Sequence, residues 1–120
     1  MAHTELPAEI KGTKIYSWDN KSAKVNVYDI ITKAKESFNV STSFPDLADG
    51  ILLKNSIFIM GGSGPNKNTY EMNVVSKTVT TKHDMILAKC YHSLCKHANT
   101  IFSVGGNNGK VLNECEKYNS

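Results

Sequence analysis

Asn55-Ser56-Ile57-Phe58-Ile59-Met60-Gly61-Gly62 returns without a gap, 44 residues later, as Asn99-Thr100-Ile101-Phe102-Ser103-Val104-Gly105-Gly106. Ile57-Phe58-Ile59-Met60 is a continuous apolar run, as a strand buried on both faces requires. A glycine pair at its end allows positive φ, or backbones packed too close for a Cβ. Turn residues follow each pair: Ser63-Gly64-Pro65-Asn66-Lys67-Asn68 in one copy and Asn107-Asn108-Gly109-Lys110 in the other. Self-similarity at a period of about 40–50 residues marks a stacked or radial repeat rather than one irregular domain.

Outward from this stretch, Thr69-Tyr70-Glu71-Met72-Asn73-Val74 reads as the partner strand of a hairpin. Ser76-Lys77 turns the chain, and Thr78-Val79-Thr80-Thr81 forms another strand. Upstream, Lys14-Ile15-Tyr16-Ser17-Trp18 matches the apolar strand at an offset of 42, with Asp19-Asn20 in place of the glycines. Asn and Asp tolerate left-handed backbone better than other non-glycine residues, so the exchange is compatible with the same turn. Val27-Tyr28-Asp29-Ile30-Ile31-Thr32-Lys33 matches Glu71 through Lys77 at 44, and Glu116-Lys117-Tyr118-Asn119 matches the same strand at 46. No segment keeps apolar residues at helical spacing over three turns, whereas alternation and β-branched clusters dominate. Strands are predicted over 13–18, 24–30, 34–40, 50–53, 56–60, 68–74, 77–82, 91–97, 100–104 and 111–118.

The pattern resembles the kelch repeat: an Ile-Phe or Ile-Tyr strand closed by Gly-Gly, a polar turn, and a Tyr-Asp-like strand about a dozen residues on. Here these are Ile57-Phe58, Gly61-Gly62 and Met72-Asn73, then Ile101-Phe102, Gly105-Gly106 and Tyr118-Asn119. Ile15-Tyr16 and Tyr28-Asp29 form the first unit. Lys89-Cys90-Tyr91-His92-Ser93-Leu94-Cys95 looks like the family's strand that usually opens with Arg and carries a His. The resemblance implies an all-β fold of β-propeller blades, each a four-stranded antiparallel sheet. The expected organisation is an N-terminal segment 1–12, able to supply a blade-closing strand, followed by repeats over about 13–49, 50–90 and 91–120. That is a partial propeller of about three blades.

Composition narrows the function classes. The net charge is only +3 and the lysines are scattered, which argues against a nucleic-acid stripe. Three cysteines, Cys90, Cys95 and Cys115, show no C-x-x-C pair and argue against a disulfide framework. No signal peptide and no apolar run long enough to span a membrane is visible, so a cytoplasmic, reducing setting is expected.

Cys90, His92, Cys95 and His97 are the densest metal-capable cluster. On a strand the first two face one side and the last two the other, so no metal is expected. The two glycine-rich turns lack the phosphate-loop spacing and a following helix, so no cofactor is expected either. Ser93 beside His92 is not a triad, no nucleophile elbow occurs, and Asp46 and Asp49 lie in a loop without an apolar wall. A non-enzymatic chain is expected, with a kelch-like oxidase as a minor alternative.

The family resemblance implies a protein-interaction module, an adaptor or substrate-recognition scaffold that binds through inter-strand loops. The candidate partner-binding residues are Lys89, at the family's Arg position, and the turn residues Ser63, Asn66, Lys67, Asn107 and Asn108. Gly61, Gly62, Gly105, Gly106, Tyr28, Asp29 and Tyr118 are read as structural repeat positions. The rival reading is a structural fragment that self-assembles, as a homodimer completing a ring, with no other ligand.

Overall fold

The computed structural model describes residues 8–18 and 20–119. Segment 1–7 and Asp19, the first member of the pair replacing the glycines, lie outside the described residues. The chain is all-β and forms three antiparallel sheets. Among the described residues there is no helix, hence none long and apolar enough to cross a membrane.

The first sheet is a meander of β1 (Ala8–Lys11), β2 (Lys14–Trp18), β3 (Lys24–Asp29) and β4 (Lys35–Asn39). The second repeats it with β5 (Asp49–Leu53), β6 (Ser56–Met60), β7 (Thr69–Asn73) and β8 (Thr78–Lys82). The third holds β9 (Ser93–His97), β10 (Thr100–Val104) and β11 (Cys115–Asn119). Most predicted boundaries lie within one residue, and two strand starts move further. The strand expected over 91–97 starts at Ser93, because Tyr91 turns with φ 56°. The strand expected over 111–118 starts at Cys115, because Val111 is held in a bridge to Asn107 and Leu112 N donates to Gly106 O.

The repeat is visible in the backbone, independent of side-chain identity. Gly12, Lys54 and Ala98 open the hairpins β1–β2, β5–β6 and β9–β10 with φ of 62°, 58° and 54°. Lys33 and Lys77 close the β3–β4 and β7–β8 turns at 63° and 61°. In those turns Asp29 Oδ1 accepts from the Ile31 and Thr32 amides, as Asn73 Oδ1 accepts from Val75 and Ser76. A short side-chain oxygen at the turn's start is the shared requirement, which Asp and Asn both meet. Leu47 and Tyr91, 44 apart, share φ near 60° in the linkers between sheets.

Alternation assigns each sheet two faces. Ile57, Ile59, Met72 and Val74 of the second sheet pack on Tyr16, Trp18, Val25 and Val27 of the first. Phe58 and Met60 point the other way, onto Ile101 and Tyr118 of the third. All five residues of β6 are therefore buried, as its uninterrupted apolar run requires. Trp18 lies so close to β5 that a Cβ on Gly50 would sit 2.7 Å from its ring. The first strands of the sheets are neighbours, β1 beside β5 and β5 beside β9. Side chains tie them: Glu9 Oε1 accepts from Leu52 N at 2.8 Å, and Asp49 Oδ2 from Leu94 N at 3.1 Å.

Candidate interaction surface at the glycine-turn end

Each glycine pair ends its strand by turning into the linker of a neighbouring unit. Gly61 and Gly62 have φ of 74° and 128°, Gly105 and Gly106 of 68° and 107°. These values lie in the region that L side chains disfavour; Gly62 and Gly106 sit where glycine is strongly favoured, whereas Gly61 and Gly105 lie close to the φ that Lys33 and Leu47 also adopt. The turn is then stitched to its neighbours: Gly62 N donates to Lys89 O at 2.9 Å, and Ser63 N to Asp46 O. The same contact recurs 44 residues on, where Asn107 N donates to Cys90 O at 2.8 Å. The linkers 43–48 and 87–92 thus hold the turns in place and form one end of the molecule with them.

Five of the six predicted contact residues do lie at this end. Ser63 and Lys67 are exposed, while Asn66, Asn107 and Asn108 are half-buried. Asn66 is also structural: its Oδ1 accepts from Asn68 N at 2.7 Å and its carbonyl from Lys89 N at 3.0 Å. Asn107 Oδ1 likewise accepts from Gly109 N, and its carbonyl from Cys90 N. Between the first and second sheets the turns flank a cleft of about 360 Å3. Asn20, Ser43, Asp46, Ser63, Asn66 and Tyr70 line it, with Phe44 and Pro45. Hydroxyls, amides and one carboxylate over an aromatic floor can hydrogen-bond a peptide backbone and stack its side chains. A second cleft, of about 440 Å3, lies at the opposite end between the β5–β6 and β9–β10 turns, around Lys54, Ser56, Glu71 and Asn99.

Lys89 is the exception and corrects the expectation that it is a surface contact. It is 1% exposed, and its ammonium donates to Glu116 Oε1 at 2.9 Å. Glu116 Oε1 also accepts from Leu87 N at 3.1 Å, and Oε2 from Ile86 N. Burial pushes the Glu116 carboxyl up, but the Ile86 amide, the Lys89 ammonium and the Leu87 amide outweigh it and hold the pKa below the ordinary value. One carboxylate thus clamps the linker of the second sheet onto β11 of the third. Sequence reasoning missed Glu116. Its signal was its place two residues before Tyr118, on the buried face of a strand, where a carboxylate requires a cation and donors.

The metal-capable residues Cys90, His92, Cys95 and His97 are dispersed. His92 turns inward, its Nε2 at 2.9 Å from Met60 O and its ring against Gly61, while Nδ1 is buried without a hydrogen-bond partner among the described residues. Burial lowers its pKa, with Lys89 adding to that effect and Asp49 and the Met60 carbonyl opposing it. Cys90 contacts Asn107 O through its thiol, whereas Cys95 and His97 lie together on one face of β9, both exposed. The described residues hold no group of three or more His, Cys, Asp or Glu side chains able to share an ion. All three cysteines are unpaired.

No model of a known protein family matches the chain, and no curated protein matches it.

Proposed function

We propose that the three sheets are blades of a kelch-type β-propeller and that the chain is a non-enzymatic protein-interaction scaffold. The observation that carries this reading is the end-on alignment of equivalent turns and linkers, with φ and hydrogen bonds repeating at 42–44 residues. A repeat held this rigidly presents its inter-strand loops on one surface, the usual physical arrangement for recognition. The neighbouring first strands would line the propeller axis. The cleft between the first two sheets, with Ser43, Asp46, Ser63 and Asn66 on its walls, is the assigned peptide-contacting site. Three unpaired cysteines suit a reducing compartment, which we take to be cytoplasmic.

A selection of peptides displayed on phage against the purified chain tests this. Recovered peptides should lose binding to Ser63→Arg and Asp46→Arg and keep it for Asn99→Arg at the opposite end. Peptides indifferent to both cleft variants, or no peptide above background, would refute the assignment.

A further inference from the structure

The two contacts between sheets follow one rule, and the two open faces of the molecule match its two halves. Within the chain, the forward face of each sheet receives the backward face of the next. Tyr16 and Trp18 of the first sheet meet Ile57 and Ile59 of the second, and Phe58 and Met60 of the second meet Ile101 and Tyr118 of the third. By offset, the forward-face positions are Tyr16/Trp18, Phe58/Met60 and Phe102/Val104. The backward-face positions are Ile15/Tyr28, Ile57/Met72 and Ile101/Tyr118, where the second of each pair lies directly across the ladder. Two halves have no counterpart among the described residues. Phe102 and Val104 of the third sheet face away from the second, with Val104 45% exposed. Ile15 and Tyr28 face away on the first, alongside Ile10, which pairs with Ile15 and is 57% exposed.

We infer that the forward face of the third sheet docks the backward face of the first sheet of a second copy of this chain, head to tail. The occupant is specified by continuity with the internal contact. The Ile-Tyr pair of the first sheet's open face, Ile15 with Tyr28, repeats the pair that the second sheet already receives, Ile101 with Tyr118. The open Phe102 stands where Phe58 receives it. A second copy therefore brings a backward face of the type this surface is built to accept. The contact is heterologous, and such contacts either close into a ring or run on as a fibre. Three sheets from each of two copies make six, within the four to eight blades at which propellers close. Two equivalent seams then complete the ring. This inference rests on the propeller reading of the sheets but not on what the loops bind.

β1 pairs with β2 from Lys14 to Ser17, so the first sheet has four strands and offers an apolar face. Cys95 and Cys115 report on the other open face, because they sit directly across from Phe102 and Val104.

Sedimentation of the wild-type chain at tens of micromolar should give twice 13.2 kDa. Val104→Glu and Ile10→Glu each place a charge at an exposed position of one face, and each should sediment as a folded monomer. Their equimolar mixture should regain the dimer mass, since one seam then joins two unaltered faces. Alkylation of Cys95 and Cys115 in the wild type should slow about tenfold or more between nanomolar and tens of micromolar chain. A wild-type monomer, a ladder of higher oligomers, or one single variant that stays dimeric would each overturn head-to-tail closure, as would cysteine rates independent of concentration. A monomer whose cleft still binds the selected peptides would remove the second copy and leave the scaffold reading in place.

Discussion

The two glycine pairs share sequence and backbone angles, yet they sit in different surroundings. A Cβ on Gly61 would lie 2.5 Å from His92 Cε1 and 2.8 Å from Lys89 O. On Gly62 it would lie 2.5 Å from Pro45 Cβ and 2.8 Å from Asp46 O. The first turn is thus gripped by linkers on both sides. At the second turn the nearest atom to a Gly105 Cβ is Leu112 O at 3.7 Å, while Gly106 faces Cys90 O at 3.0 Å. That turn has a linker on one side only. The demand for positive φ is therefore local and common to both pairs. The steric demand is tertiary and depends on how many neighbouring units close around the turn.

Breaking the clamp should have the largest effect. Glu116→Ala leaves the Lys89 ammonium buried without its partner and strips the Ile86 and Leu87 amides of their acceptor. A loss of about 3–5 kcal/mol is expected in urea unfolding. Lys89→Met should cost less, because Glu116 keeps both amides. Equal losses for the two would show that the ion pair alone, not the carboxylate's three donors, holds the linker.

The glycines sharpen the comparison itself. Gly61→Ala and Gly62→Ala meet both a strained φ and backbone oxygens that cannot move aside, for about 2–4 kcal/mol each. Gly105→Ala meets only the φ penalty, about 1 kcal/mol. Gly106→Ala should fall between these values, at its 3.0 Å contact. Equal unfolding midpoints for Gly61→Ala and Gly105→Ala would remove the claim that the first turn is enclosed from both sides. Gly50→Ala, which needs no positive φ, tests close approach alone against the Trp18 ring and should shift Trp fluorescence as well as stability.

The smallest effect is in the pH profile. His92 is held below its ordinary pKa by burial, so on acidification the unfolded chain takes up that proton first. Its contribution to stability is complete above about 6.5 and declines as the pH falls from there towards the lowered folded value. Glu116 is also lowered, so its contribution is complete above the ordinary glutamate range, about 4.3, and declines below it. Thermal melts should therefore show one loss from mildly acidic pH and a second one further down. His92→Gln should flatten the first limb and leave the second. An unchanged first limb would mean that His92 is not its source.

Much of the strand pattern was legible in the residues. Alternation, β-branched clusters and two gapless glycine pairs place ten strands, and the two predicted strand starts that moved by more than one residue are set by the backbone. Tyr91 adopts positive φ, and Asn107 draws Val111 and Cys90 into bridges. Neither leaves a mark in hydropathy, because both are features of the backbone. The strand Ala8–Lys11 was open in the sequence, since Ala and Glu have low β-propensity; pairing with β2 and the reach of Glu9 to β5 decide it.

The site divides in the same way. The residue types at Ser63, Asn66, Lys67, Asn107 and Asn108 marked loops by their own short-range chemistry, and they lie in the loops after β6 and β10, with Asn66 and Asn107 in β-bridges. Lys89 looked like a surface cation because charge normally seeks water. Only tertiary structure brought Glu116, 27 residues away, to neutralise it in the interior. The sequence alone determined the period, the faces of each strand and the positions where glycine is obligatory, because these depend on neighbours along the chain. The tertiary structure alone decided which charges are buried, which glycines are enclosed and which two faces stay open. Those depend on sheets meeting across space, and no local pattern encodes the distance between them.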